Sequence, residues 1–204
     1  MSDSAVFVTL EGVDGAGKSS HVQHVADHLG GGGRHVVVTR EPGGTDLAER
    51  LRGAILEQPM SALTETLLLL AARADHVERV IAPALQAGNA VVCDRFEDAT
   101  IAYQGAGKGV SLELIASLSE AAHAGLKPKR TLLFDCTYEV ASRRLAATGR
   151  ALDRFEREGR EFFERVRKAY LDRAQAEPFR IRVIDAGGDL ESVREQVVAA
   201  LKDL

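Results

Sequence analysis

Gly12-Val13-Asp14-Gly15-Ala16-Gly17-Lys18-Ser19 fits the pattern G-x-x-x-x-G-K-S/T, a loop that wraps the phosphates of a nucleoside triphosphate. Its neighbours on both sides agree. Val6-Phe7-Val8-Thr9-Leu10 is β-branched or apolar throughout and reads as a buried parallel strand. Lys18 to Leu29 reads as a helix with Val22, Val25, Ala26 and Leu29 on one face. Strand, glycine-rich turn and helix in that order aim successive backbone N–H groups at one anion, and the helix N-terminus adds partial positive charge. Gly12, Val13, Asp14, Gly15, Ala16 and Gly17 would form the cradle for ATP, with Ser20 extending it into the helix. Lys18 would reach the β- and γ-phosphates, and Ser19 would offer its hydroxyl to Mg²⁺.

The bulk composition narrows the classes. A chain of 204 residues has room for one substantial α/β domain. Hydrophobic residues at 45% and charged residues at 27% are ordinary for a soluble globular chain. A net charge of −4 argues against nucleic acid as the main partner, so anion binding must come from placed arginines. Cys93 and Cys136 each end an apolar run without C-x-x-C spacing, which fits core residues in a reduced cytoplasm. Met1 to Ala5 carries no basic region or signal core, and no apolar run reaches membrane-spanning length. A cytoplasmic protein without a membrane partner is expected.

Outward from the loop the alternation of strand and helix continues. Gly30-Gly31-Gly32-Gly33 stops the first helix and leads into a strand from His35 to Thr39. Arg40-Glu41-Pro42-Gly43-Gly44-Thr45 forbids regular structure. The spacing predicts a helix from Asp46 to Glu57 with Leu47, Ala48, Leu51 and Ile55 inward. After Pro59, Ser61 caps a helix running to about Gln86, bent or interrupted at Pro83. Leu67 to Ala72 is apolar almost all round and is expected to be buried on several sides. A strand from Ala90 to Cys93 ends on Asp94-Arg95, and the polar, glycine-rich Phe96 to Gly109 is assigned no element. A helix around Leu112 to Ala124, a strand from Thr131 to Asp135 and a helix from Tyr138 to Ala147 follow. Thr148 to Phe155 is an arginine-bearing loop. The next helix, Glu156 to Ala176, puts Phe163, Val166 and Tyr170 on one stripe, with Glu161–Arg165 and Glu164–Lys168 pairs on the wet side. A strand from Ile181 to Asp185 and a helix from Leu190 to Leu201 close the chain.

Strands separated by helices throughout predict an α/β fold, a three-layer sandwich of a five-stranded parallel sheet flanked by helices. Residues 1–204 are expected to form one domain with a short lid at about 148–156. Ligands in such folds sit beyond the carboxyl ends of the strands, where Glu11, Arg40, Asp94 and Asp135 to Thr137 fall. Asp94 and Asp135 both end apolar runs and compete as the carboxylate that holds Mg²⁺. Asp94 is favoured because Arg95 follows it, pairing a metal-side carboxylate with a phosphate-side guanidinium. Arg40, Arg52, Arg73 and Arg95 come from four segments and suit recognition of phosphate or carbonyl oxygens. Arg150 and Arg154 lie in a segment with the size and charge of a mobile lid. Among six histidines only His24 and His28 are spaced one helical turn apart, and they fall on the polar side of their helix, as surface residues do.

Taken together, Val-Asp-Gly-Ala-Gly-Lys-Ser, Thr-Arg-Glu-Pro-Gly-Gly-Thr, Leu-Leu-Ala-Ala-Arg, Asp-Arg-Phe, Ala-Tyr-Gln-Gly and Leu-Asp-Arg-Phe-Glu occur in that order. The chain resembles the bacterial thymidylate kinases over nearly its whole length. The resemblance implies phosphoryl transfer from Mg·ATP to dTMP, giving dTDP and ADP, in a cytosolic homodimer. It implies that Asp14 faces the sugar 3′-hydroxyl and the acceptor region, and that Arg40, Glu41, Arg52 and Arg95 surround the dTMP phosphate. Arg73 would read thymine O4, Thr100 and Gln104 the other polar edge, and Tyr103 would pack against C2′. Arg144, or its neighbour Arg143, would stack on adenine. Ala16 means that the loop supplies no arginine of its own, leaving that part to Arg150 and Arg154. Leu69 stands where the family commonly has phenylalanine, and Ala99 where serine is frequent, which implies a softer preference for thymine over uracil.

Overall fold

Apolar runs joined by helical crossovers can lie side by side only as parallel neighbours. In the computed structural model, which describes residues 5–204, five strands do so: β1 (Val6–Glu11), β2 (Val36–Arg40), β3 (Ala90–Asp94), β4 (Arg130–Asp135) and β5 (Ile181–Asp185). The reading of Met1 to Ala5 therefore lies, apart from Ala5, outside the described residues. The order is β2-β3-β1-β4-β5, with every pairing parallel. Leu10 pairs with Asp94 on one side and with Leu132 on the other. The chain leaves β1 toward one side of the sheet and later crosses to the other, so the crevice opens beyond the ends of β1, β3 and β4.

The two-residue period of β1 feeds two cores. Val6, Val8 and Leu10 join Val25, Leu29, Phe134, Val166 and Tyr170 on one face. Phe7 joins Val77, Ile81, Leu85, Val91 and Phe96 on the other. The Phe7 and Phe96 rings meet edge-to-face at 5.1 Å, a geometry that adds about 1 kcal/mol to the area they bury. Cys93 and Cys136 are buried free thiols within these layers.

The helices are α1 (Val22–Leu29), α2 (Asp46–Glu57), α3 (Ala62–His76), α4 (Ala82–Gln86), α5 (Glu97–Thr100), α6 (Leu112–His123), α7 (Tyr138–Ala147), α8 (Arg160–Ala176) and α9 (Leu190–Leu201). Side-chain oxygens of Thr45, Ser61, Thr137 and Asp189 accept from backbone N–H groups and start α2, α3, α7 and α9.

Several expectations are corrected. Lys18–Ser20 winds as a 3-10 turn before α1 begins. Leu47 faces out, and so do Leu63 and Leu67, leaving an apolar stripe on α2 and α3 uncovered. The long helix after Ser61 is α3, a wider π-helical stretch Val77–Ile81, and α4, with Pro83 in the first turn of α4. The unassigned glycine-rich segment is helical: α5 runs into a second π stretch, Ile101–Gly107. α8 starts at Arg160, not Glu156, and neither expected pair forms on it. Lys168 bonds Asp172 instead, and Arg165 donates to the Gly107 carbonyl.

Candidate active site

The loop between β1 and α1 is shaped by backbone that only glycine tolerates. Gly12 has φ 133°, and a Cβ there would sit 2.2 Å from the Phe134 carbonyl oxygen, so the loop lies flush on β4. Lys18 is buried, and its Nζ donates to the carbonyls of Gly12 (3.0 Å) and Val13 (3.1 Å). Burial, reinforced by the Arg95 cation, lowers its pKa to about 8 against the pull of Asp94, Asp14 and Glu11. Ser19 Oγ donates to Asp94 Oδ2 at 3.4 Å, while Asp94 Oδ1 is buried without a partner. Asp135, the competing carboxylate, is held by both Nε and Nη2 of Arg167 at 2.7 and 2.8 Å. A hydroxyl beside a carboxylate with an orphaned buried oxygen suits a hard, oxygen-seeking cation. Among the described residues no group of three or more His, Cys, Asp or Glu side chains is placed to hold a metal ion.

Arg95 follows β3 with φ 73°, left-handed backbone that costs a non-glycine residue about 1–3 kcal/mol and must be held by its surroundings. Its N–H donates to the Leu10 carbonyl at 2.9 Å. Its guanidinium donates to Asp14 Oδ1 (2.7 Å), Tyr103 (3.0 Å) and Tyr170 (3.1 Å). Tyr103 donates in turn to Asp14 Oδ2, and Tyr170 to Glu11 Oε2, each at 2.8 Å. Burial works to raise the Asp14 carboxyl, but Arg95, Lys18 and the Tyr103 hydroxyl outweigh it and hold its pKa below the ordinary value. Glu11 lies deeper. Burial, with Asp98 nearby, raises its pKa to about 7.

The crevice beside the loop has a volume of about 600 Å³, and a smaller pocket of about 110 Å³ opens next to it. Asp14, Glu41, Arg52 and Arg95 line both. In the smaller pocket Arg73 is buried over the Phe96 ring at 4.8 Å. Its Nε donates to Glu41 Oε2 (2.7 Å) and its Nη2 to Thr100 (3.0 Å), while Nη1 is buried without a partner. His76 holds the other Glu41 oxygen at 3.0 Å. Burial would raise the Glu41 carboxyl, yet Arg73 and His76 bring its pKa below the ordinary value. Leu69, Ala99, Tyr103 and Gln104 complete the wall. Arg52 lies at the junction of the two pockets and donates to the Pro42 carbonyl at 3.0 Å. Arg40 lines the larger crevice with its guanidinium turned to both oxygens of Glu49 at 2.9 Å.

The lid segment divides its arginines. Arg150 borders the larger crevice, paired with Glu156. Arg154 points elsewhere, donating to the Gln58 carbonyl at 3.2 Å and pairing with Glu65. Arg144 donates to the carbonyls of Ala16 (3.2 Å) and Ala186 (2.8 Å) and borders the crevice, whereas Arg143 is exposed and does not. The sequence reading missed Glu65 and the Tyr170 hydroxyl. Glu65 looks like a first-turn helix acid, and Tyr170 like one member of an apolar stripe.

A phosphate-wrapping loop at the end of β1, with a carboxylate at the end of the adjacent β3, defines the P-loop nucleotide-phosphate-binding fold, here with a second, arginine-bearing pocket adjoining the first. Comparison with known proteins narrows the class. The family model for thymidylate kinase matches residues 10–197. The chain is 52% identical over 204 residues to the thymidylate kinase of Ectopseudomonas mendocina, covering 98% of this chain and 97% of that one. It is 54% identical over 198 residues to the thymidylate kinase of Bordetella petrii, covering 97% and 95%. The crystal structure of thymidylate kinase from Ehrlichia chaffeensis superposes with a TM-score of 0.79 at 34% identity, covering 97% of this chain and 98% of that one. The chain belongs to the thymidylate kinase family.

Proposed function

We propose that this chain transfers the γ-phosphate of ATP to dTMP, giving dTDP and ADP, in dTTP biosynthesis. The observation that carries the reading is the meeting of the two pockets at Asp14 and Arg95, with a phosphate loop on one side and a buried, unpartnered arginine nitrogen on the other. A donor and an acceptor held on opposite sides of that junction are aligned for in-line transfer. Residues 1–204 act as one kinase domain, with the lid at 148–156.

Gly12 to Gly17, Ser19 and Ser20 cradle the ATP phosphates, Lys18 contacts the β- and γ-phosphates, and Arg144 packs on adenine. Arg95, Arg52 and Arg40 hold the acceptor phosphate, and Glu41 keeps Arg73 in place. Arg73, Thr100 and Gln104 face the base, Leu69 walls it, and Tyr103 closes the space beside C2′. Asp14 faces the sugar. Ser19 and Asp94 would hold Mg²⁺, which supplies charge neutralisation to the donor phosphates when bound. Arg150 is already at the crevice, and Arg154 joins by leaving Glu65 as the lid moves. No side-chain base is needed, because the acceptor phosphate oxygen is anionic near neutral pH.

The exposed apolar stripe of Leu47, Leu63 and Leu67 supports a homodimer. No helix among the described residues is long and apolar enough to cross a membrane, and a cytoplasmic site of action fits. A panel of dTMP, dUMP, dCMP and GMP, each with ATP and Mg²⁺, tests the reading. dTMP should be turned over best, and faster turnover of dCMP or GMP would overturn the assignment.

A further inference from the structure

Glu65, in the first turn of α3, is a buried charged group to which these roles give nothing beyond the resting contact of Arg154. It is 0% exposed and stands behind the smaller pocket without lining it. Its Oε1 accepts from Gln104 Nε2 at 2.7 Å, and its Oε2 accepts from Lys108 Nζ at 2.8 Å, with Arg154 paired to the same oxygen. A carboxylate paired with the Lys108 ammonium accepts hydrogen bonds and cannot donate. It therefore holds the NH₂ end of the Gln104 amide and leaves the carbonyl end to face the pocket. Among the described residues no side-chain or backbone hydrogen bond reaches that oxygen. Arg73, on the same wall, has its Nε and Nη2 committed to Glu41 and Thr100, so its unpartnered Nη1 is the donor left to a ligand.

Arg73 and Gln104 thus offer one donor and one acceptor in fixed roles, beside a Thr100 hydroxyl that accepts from Arg73 and can turn its own O–H. A pyrimidine-dione matches them, with a carbonyl O4 for Arg73 and an N3–H for Gln104. A 4-aminopyrimidine presents the reverse, an amino donor toward the arginine and a bare N3 toward the amide oxygen. We propose that Glu65 is a positioning residue for base selection: by holding the Gln104 amide nitrogen it fixes which end of that amide the base meets. This rests on dTMP being the acceptor, and adds that its selection depends on a residue behind the pocket wall.

The test compares dTMP with 5-methyl-dCMP, which keeps the methyl group, sugar and phosphate and differs only at N3 and the 4-substituent. In Glu65→Gln the side chain at 65 can donate as well as accept, so the Gln104 amide is free to turn over. The ratio of kcat/KM for dTMP to that for 5-methyl-dCMP should fall by about tenfold or more, through the acceptor KM, with the KM for ATP unchanged. A merely structural role would depress both acceptors alike and leave the ratio where it was. Gln104→Met should lower the ratio in the wild-type background and add little in the Glu65→Gln background, because the two residues act as one unit. An unchanged ratio in Glu65→Gln, or full additivity with Gln104→Met, overturns the proposal. Glu65→Asp keeps the charge but withdraws the carboxylate by one methylene, and carries the same expectation where Glu65→Gln is too unstable to assay. Failure of the wild-type enzyme to prefer dTMP would count against the acceptor assignment instead, whatever the variants do.

Discussion

Replacing Arg73 by alanine should unbalance the fold before it affects chemistry. Arg73 and Glu41 are 3% and 6% exposed, joined at 2.7 Å, and the arginine also covers Phe96. Removing it leaves a buried carboxylate with only His76 beside it, a change that costs about 3–5 kcal/mol. That is a large share of the roughly 5–15 kcal/mol that holds a domain of this kind together. The sign with pH follows from Glu41. Its pKa in the folded protein is below the ordinary value of 4.5, so the stability it contributes is present above that value and is lost as pH falls through the folded pKa. Without Arg73 that contribution is gone and burial favours the neutral acid. The loss should therefore be largest near pH 8 and shrink toward pH 4.5. Urea unfolding of wild type and Arg73→Ala across that range measures it directly, and Glu41→Gln added to the variant should recover part of the loss at pH 8. A loss that is equal at both ends of the range, and untouched by the second substitution, would refute the reasoning. In the surviving folded enzyme the KM for dTMP should rise while that for ATP holds.

Arg150→Ala should slow phosphoryl transfer in a single turnover by about a hundredfold or more, with the melting temperature unchanged, since the side chain is half exposed and pairs with Glu156. A wild-type single-turnover rate would return this segment to an ordinary surface loop. Glu11, with its pKa raised to about 7, contributes stability that is complete below 4.5 and lost as pH rises through 7. Wild type should lose about 3 kcal/mol across that window, and Glu11→Gln, which never ionises, should lack this slope in urea midpoints measured from pH 5 to 8.

Much of the scaffold was legible because local chemistry and tertiary environment agree there. The strand before the loop, the helices Asp46–Glu57 and Tyr138–Ala147 and the strand Ile181–Asp185 fall where periodicity and turn residues put them. The misses have physical causes. Periodicity cannot tell a core face from an apolar face left open, so Leu47 and Leu67 looked buried. The π winding of Ile101–Gly107 depends on packing against α8, where Phe162 lies close to Gly107, and no local signal marks it. Glu65 takes its meaning from Gln104 and Lys108, 39 and 43 positions away, and Tyr170 from Glu11, 159 positions away. Motifs did name Arg150 and Arg154 as a pair. Two positions on one loop say nothing of where each guanidinium turns, and the two point to different places.

The ammonium of Lys18, held on the carbonyls of Gly12 and Val13 with a pKa of about 8, has a further consequence. A triphosphate laid against it adds negative charge and shifts that pKa upward again. Nucleotide binding at alkaline pH is then accompanied by proton uptake from the solvent. The heat of binding would depend on the ionisation heat of the buffer, and above pH 8 the apparent affinity would weaken toward a limit of about tenfold per pH unit. The donor site is in this sense a proton-linked receptor.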